Sequence, residues 1–303
     1  MVLSSYIDQS SPSAVWHSLF SALAFKGMAM DGGSVTATLP ALDDFRQNRD
    51  SGLAPAWLTV ALDTLLGMAV FGKIMKAVPI ATVDLTTDFT ATLTPGSDAK
   101  IHAVCDIIAG NTAFVTGTIH DSATGALVAR ASAKFIIKAK PQKGEKGHKA
   151  REKAIEAAFD ISGGTPDLQF AEALTGHPYA NWMGVQRLEQ KGQQLIHLPF
   201  SELIIGDPFA RTIHGGMLAS IMEMAAAGTI IDKTGKPDLL APLSTSINYL
   251  KRTFAGDCFA AAKIIRFGRN IIVVHARAWQ QADTEPVATA TILFKGLETE
   301  GGT

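Results

Sequence analysis

The sequence predicts an α+β protein made of two tandem copies of one unit, each an antiparallel sheet wrapped about a central helix. Three observations carry that expectation. First, two apolar helical runs each hold a single acid, Asp63 and Glu223, at an offset of 160 positions. Second, the same offset superposes Asp84–Phe89 on Ser244–Tyr249 and Gly96 on Gly256, while Val128–Phe135 matches Val287–Phe294 at 159. A near-constant offset across separate landmarks is the mark of a duplicated unit. Third, the strand-like segments follow one another instead of alternating with helices, which favours an antiparallel sheet.

In chain order, Leu53–Gly72 is an apolar run of twenty residues with one charge. Its length would span a bilayer. Asp63 near its middle, with Pro55 and Gly67, argues instead for a helix buried by protein on nearly every side. Alternating segments then run over Thr82–Thr92, Lys100–Ile108 and Thr112–His120, separated by Pro95-Gly96 and Ala109-Gly110-Asn111. The second copy repeats them at Ser244–Thr253, Cys258–Arg266 and Asn270–Trp279, with turns at Ala255-Gly256-Asp257 and Gly268-Arg269-Asn270. The expected division is a first domain over 1–138, a linker over 139–165 and a second domain over 166–303. The linker is rich in lysine and glycine; Lys138–Lys153 alone holds seven of the 27 basic residues and reads as a solvated connector. Short helices are expected at Ala154–Phe159 and Leu168–Thr175.

Composition narrows the function classes. Apolar residues make up 47% of the chain and charged ones 18%, enough to build a core and too apolar for disorder. A net charge of −1 offers no basic excess for nucleic acid or an anionic membrane. Cys105 and Cys258 cannot form a disulfide framework and fit a reducing compartment. Met1–Ser13 lacks the basic-then-apolar order of a signal peptide. A soluble, cytoplasmic protein is expected. The eight histidines show no metal-ligand spacing, and there is no nucleophile elbow, P-loop or dinucleotide fingerprint, so neither metal nor cofactor is expected.

The informative string is Ile213-His214-Gly215-Gly216-Met217, running on through an apolar helix to Glu223. Glycines at a helix start permit close backbone approach. The free N–H groups and the positive end of the helix dipole there can hold a developing oxyanion. This string resembles the His-Gly-Gly motif of the hotdog-fold acyl-CoA thioesterases. Thr82–Phe89 is similar to the strand that follows the central helix in that family. The resemblance covers both copies and implies a double hotdog. It also implies hydrolysis of acyl-CoA thioesters by a helix carboxylate, with a backbone amide of the glycine turn polarising the carbonyl. Coenzyme A would enter only as part of the substrate.

Helix geometry assigns the groups. Gly215 and Glu223 lie eight residues apart, about 12 Å along a helix, too far for both to reach one reacting carbon. The carboxylate of one copy must therefore meet the glycine turn of the other. The turn equivalent to His214-Gly215-Gly216 in the first copy is Ala54-Pro55-Ala56, and proline has no N–H to donate. Glu223 would face this degraded turn, a possible second site that reads as a relic. Asp63 would face the intact one.

The expected catalytic set is thus Asp63 as base or nucleophile, Gly215 through its N–H, His214 orienting the turn or substrate, and Thr82, which matches the family position for an assisting hydroxyl. Pro242 stands where Thr82 would be in the second copy. Gly216, Arg266 and Arg269 are the expected substrate-binding residues, the arginines for coenzyme A phosphates. Trp57, Leu66, Met217 and Met224 read as core, with pocket walls as the alternative. Self-association of double-hotdog chains is expected. Two other functions are open. One is an enoyl-CoA hydratase of the same superfamily, suggested by Gly206-Asp207-Pro208, although Asp207 and His214 are too far apart in sequence for that group's motif. The other is a non-catalytic acyl-CoA-binding protein.

Overall fold

The structure, a computed structural model, describes residues 17–48, 50–75, 78–138, 165–166, 177–190, 192–207, 211–235 and 241–296. The expected helices at 154–159 and 168–175, and the linker except Thr165, lie outside these residues. Two twenty-residue helices dominate: α2 (Pro55–Ile74) and α4 (Gly215–Thr234), with short helices α1 (His17–Leu23) and α3 (Pro178–Met183). The 160-residue offset seen in the sequence is therefore the spacing of the two long helices, start to start and end to end.

Each long helix is enclosed because almost none of its surface is polar. Of α2, Trp57, Val60, Ala61, Leu62, Leu65 and Leu66 are fully buried. It is the one described helix long and apolar enough to cross a membrane, and the sheet already covers most of it. A helix apolar on every side satisfies its surface by being wrapped, which is what the strands do.

Thirteen described strands form one sheet in the order β1-β2-β4-β5-β6-β3-β12-β15-β14-β13-β9-β8-β7. The first half supplies β1 (Lys26–Asp31), β2 (Ser34–Leu39), β3 (Ile80–Phe89), β4 (Ala99–Ala109), β5 (Thr112–Asp121) and β6 (Leu127–Ile137). The second supplies β7 (Thr165–Pro166), β8 (Gln186–Gln190), β9 (Gln193–Leu198), β12 (Pro242–Tyr249), β13 (Cys258–Phe267), β14 (Ile271–Trp279) and β15 (Ala288–Lys295). A separate pair, β10 (Ile205–Asp207) and β11 (Thr212–Ile213), leads into α4. Apart from the short edge strand β7, the order is symmetric about the β3–β12 seam, where the strands pair antiparallel from Ser244↔Asp88 to Asn248↔Asp84. Leu85 and Ile247 pair across it and are both buried.

Two irregularities aim side chains inward. The pairing of β3 with β6 slips between Thr82 and Asp84. In a regular strand Thr82 would face away from Leu85 and Thr87, the buried residues of β3, because alternate side chains point to opposite faces. The extra residue switches that alternation and turns Thr82 to the helix side. β12 carries the matching slip between Pro242 and Ser244 against β15. The aromatic side chains of Phe45 and Trp57 stack at 4.0 Å, and Tyr179 and Trp182 of the second half close over them, so the halves interlock on this side as well as along the seam.

Candidate active site

The first turn of α4 meets the middle of α2. Asp63, only 5% exposed, accepts the N–H of Gly216 on Oδ2 at 3.1 Å and the hydroxyl of Thr82 on Oδ1 at 3.0 Å. Three elements from the two halves thus converge on one carboxylate. Gly216 can take part because it has no side chain. A Cβ there would lie 2.6 Å from the Val60 Cα of α2. Gly215 is crowded in turn: a Cβ would stand 2.8 Å from Asp63 Oδ2 and 3.2 Å from the Tyr249 hydroxyl. The Gly215 N–H is the first of α4, where a helix has no internal acceptor to offer it.

His214 is the N-cap residue. Its Nδ1 accepts from Gly216 N–H at 3.0 Å, and its Nε2 lies 3.1 Å from Thr64 Oγ1. The Thr64 hydroxyl already donates to the Val60 carbonyl at 2.8 Å. The ring is therefore the neutral tautomer with its proton on Nε2, donating to Thr64. Burial pushes the imidazole pKa below its usual value, opposed by the Asp63 charge. The 3.5 Å approach of Nδ1 to Asp63 Oδ2 is accordingly not an ion pair. It is two acceptors sharing one N–H.

The structure thus brings Asp63, Thr82, His214, Gly215 and Gly216 together. The N–H of Gly216 is spent within the protein on Asp63 and His214. Arg266 and Arg269, the residues expected to meet coenzyme A phosphates, lie away from this group. Both are exposed at the β13–β14 hairpin. There Phe267 lies 5.2 Å under Lys233 Nζ, beside the C-terminal end of α4, whereas the glycines are at its N-terminal end. Strand register explains the separation. Phe267, Ile272, Phe294 and Pro242 share one level of the sheet, while Tyr249 stands at the other end of β12. Trp57, Leu66 and Met217 are fully buried core. Asp207 pairs with Thr212 on the strand beside His214; the carboxylate against the glycine turn is that of Asp63.

Two residues of the group escaped the sequence reading. Thr64 follows Asp63 directly and holds the imidazole. Tyr249 shares its strand face with Thr245 and Ile247, a signal that alternation does contain.

The equivalent place in the other half is stripped. Glu223 lines a small cleft with Ala54, Pro55, Ala56, Arg46, Gln47 and His177, and is 8% exposed. The residues 160 positions from Thr64, Thr82, His214, Gly215 and Tyr249 are Met224, Pro242, Ala54, Pro55 and Phe89, each lacking the polar group. Burial without compensation raises the Glu223 pKa to about 8. Among the described residues no cluster of three metal-ligating side chains occurs.

Residues 206–295 match the sequence model of the acyl-CoA thioesterase N-terminal domain. No curated protein matches the chain by sequence. Solved structures share its architecture at low identity. A candidate thioesterase of Novosphingobium aromaticivorans is 13% identical with a TM-score of 0.60, covering 90% of this chain and 99% of its own. The tesB protein of Mycobacterium avium subspecies paratuberculosis is 10% identical with a TM-score of 0.61, covering 92% and 99%. A 12:0-ACP thioesterase of Umbellularia californica is 8% identical with a TM-score of 0.56, covering 87% and 94%.

Proposed function

We propose that this chain is a double-hotdog thioesterase and that it hydrolyses acyl-CoA thioesters at one site per chain. The observation that carries the proposal is the contact of Asp63 with the glycine turn of the opposite half. In the proposed reaction Asp63 takes a proton from a water molecule, and the water oxygen bonds to the thioester carbonyl carbon. The Gly215 N–H and the positive end of α4 stabilise the oxyanion that forms. The C–S bond then breaks, and the departing thiolate receives the proton held by Asp63. Thr82 and Gly216 keep the carboxylate in place by donating to its two oxygens.

The hydratase alternative requires an imidazole free to exchange a proton with substrate water. Both ring nitrogens of His214 are already engaged, with Gly216 and Thr64, which supports the thioesterase reading. The test is thiol release from short-, medium- and long-chain and aryl acyl-CoAs, with an acyl-ACP alongside. Turnover by the wild type, lost at least about 100-fold in Asp63→Asn and largely retained in Glu223→Gln, is expected. Thioester binding without release, or enoyl-CoA hydration instead, would overturn the proposal.

A further inference from the structure

Tyr249 has a buried hydroxyl with no hydrogen-bond partner among the described residues. An unsatisfied buried hydroxyl costs about 1–3 kcal/mol, and native proteins retain few of them unless something else satisfies the group. This one flanks the same glycine as the Asp63 carboxylate. The point where a Gly215 Cβ would stand is 3.2 Å from Tyr249 Oη and 2.8 Å from Asp63 Oδ2. The two nevertheless form no hydrogen bond with each other, so the phenol proton is left for a third group. Position 89, its counterpart at the same offset, is phenylalanine, in the half whose turn lacks His-Gly-Gly. The hydroxyl thus occurs in the copy with the intact turn and is missing from the other.

We propose that the Tyr249 hydroxyl is a second donor to the substrate carbonyl oxygen, acting beside the Gly215 N–H as the oxyanion forms. This rests on the thioesterase reading and adds a catalytic residue to it. A buried donor placed where charge develops acts more strongly in the transition state than in the bound substrate. Burial, with the charge of Asp63 close by, holds the phenol pKa well above its usual value. The group therefore donates its proton to a hydrogen bond without losing it.

The experiment compares wild type with Tyr249→Phe, a side chain that the fold already accepts at Phe89. Loss of one oxyanion donor should lower kcat about 100-fold, with KM changed less than about twofold. Two inhibitors made from the best substrate of the acyl-CoA panel provide a readout independent of turnover. One is the ketone in which a methylene replaces the sulfur, keeping the carbonyl; the other is the S-alkyl thioether, which has none. The variant should bind the ketone about tenfold more weakly, a loss of about 1.4 kcal/mol, and bind the thioether as wild type does. An unchanged kcat in Tyr249→Phe would overturn this inference and leave the thioesterase reading standing. So would equal weakening of both inhibitors, the mark of a packing role. A wild type that releases thiol from no thioester would overturn both.

Discussion

Gly216 carries no side chain because Val60 of the opposite helix comes so near its Cα. A methyl group at that position must push α2 and α4 apart. Gly216→Ala should cost about 1–3 kcal/mol, read as a lower melting temperature, and should reduce activity as well because the same residue donates to Asp63. His214 gives a pH prediction of definite sign. Its folded pKa lies below the ordinary 6.5, so the unfolded chain takes up a proton that the folded one refuses. Stability is full above about pH 6.5 and falls as the pH drops below it. His214→Gln should flatten that part of the profile in urea titrations repeated between pH 5 and 7. The contacts at this scale were only partly legible. The glycine pair and the two acids stand out in the sequence because their residue types are unusual for such apolar helices. Thr64 looks ordinary until the fold sets it against an imidazole 150 positions away.

The two long helices are equivalent in length and start, yet their acids live in opposite surroundings. Asp63 on α2 meets donors from Thr82 and Gly216, whereas Glu223 on α4 lines a cleft with Ala54, Pro55 and Ala56, where Arg46, Gln47 and His177 are polar neighbours. Glu223, held at about 8, is protonated at neutral pH in the folded chain and ionised in the unfolded one. Folding therefore retains a proton between about pH 4.5 and 8, and stability declines across that window by about 1 kcal/mol per pH unit. Glu223→Gln should remove the decline and stabilise the protein at pH 8, measured by the denaturation midpoint. At the level of strands, β3 shows where pattern reading stops. The sequence identifies the strand, but the slip between Thr82 and Asp84 that turns Thr82 inward depends on its pairing with β6. A single extra residue in one partner reverses which face a side chain takes, and no local preference announces it.

Across the whole molecule, the continuous sheet and the contact of α2 with α4 make the halves one mechanical body in the described residues. The candidate site draws its carboxylate from one half and its glycine turn from the other, so activity should not survive their separation. Leu85→Ala, at the seam against Ile247, should cost about 2–5 kcal/mol. Thermal unfolding of that variant, followed by near-ultraviolet circular dichroism and by residual activity, should show both signals lost together at a lower temperature.

The sequence by itself determined the duplication, the two enclosed helices, the antiparallel succession of strands and the asymmetry between an intact and a degraded glycine turn. Each is written in composition, periodicity or the repeat offset, which act over a few residues or compare like with like along the chain. Tertiary structure alone decided which groups meet: that Gly216 donates to Asp63, that Tyr249 flanks Gly215, and that Arg266 and Arg269 lie at the far end of the sheet. Those outcomes depend on strand register and on the distance between two packed helices. Both are set by the summed fit of the whole core, and the residues that meet in the site are separated by up to 186 positions in the chain.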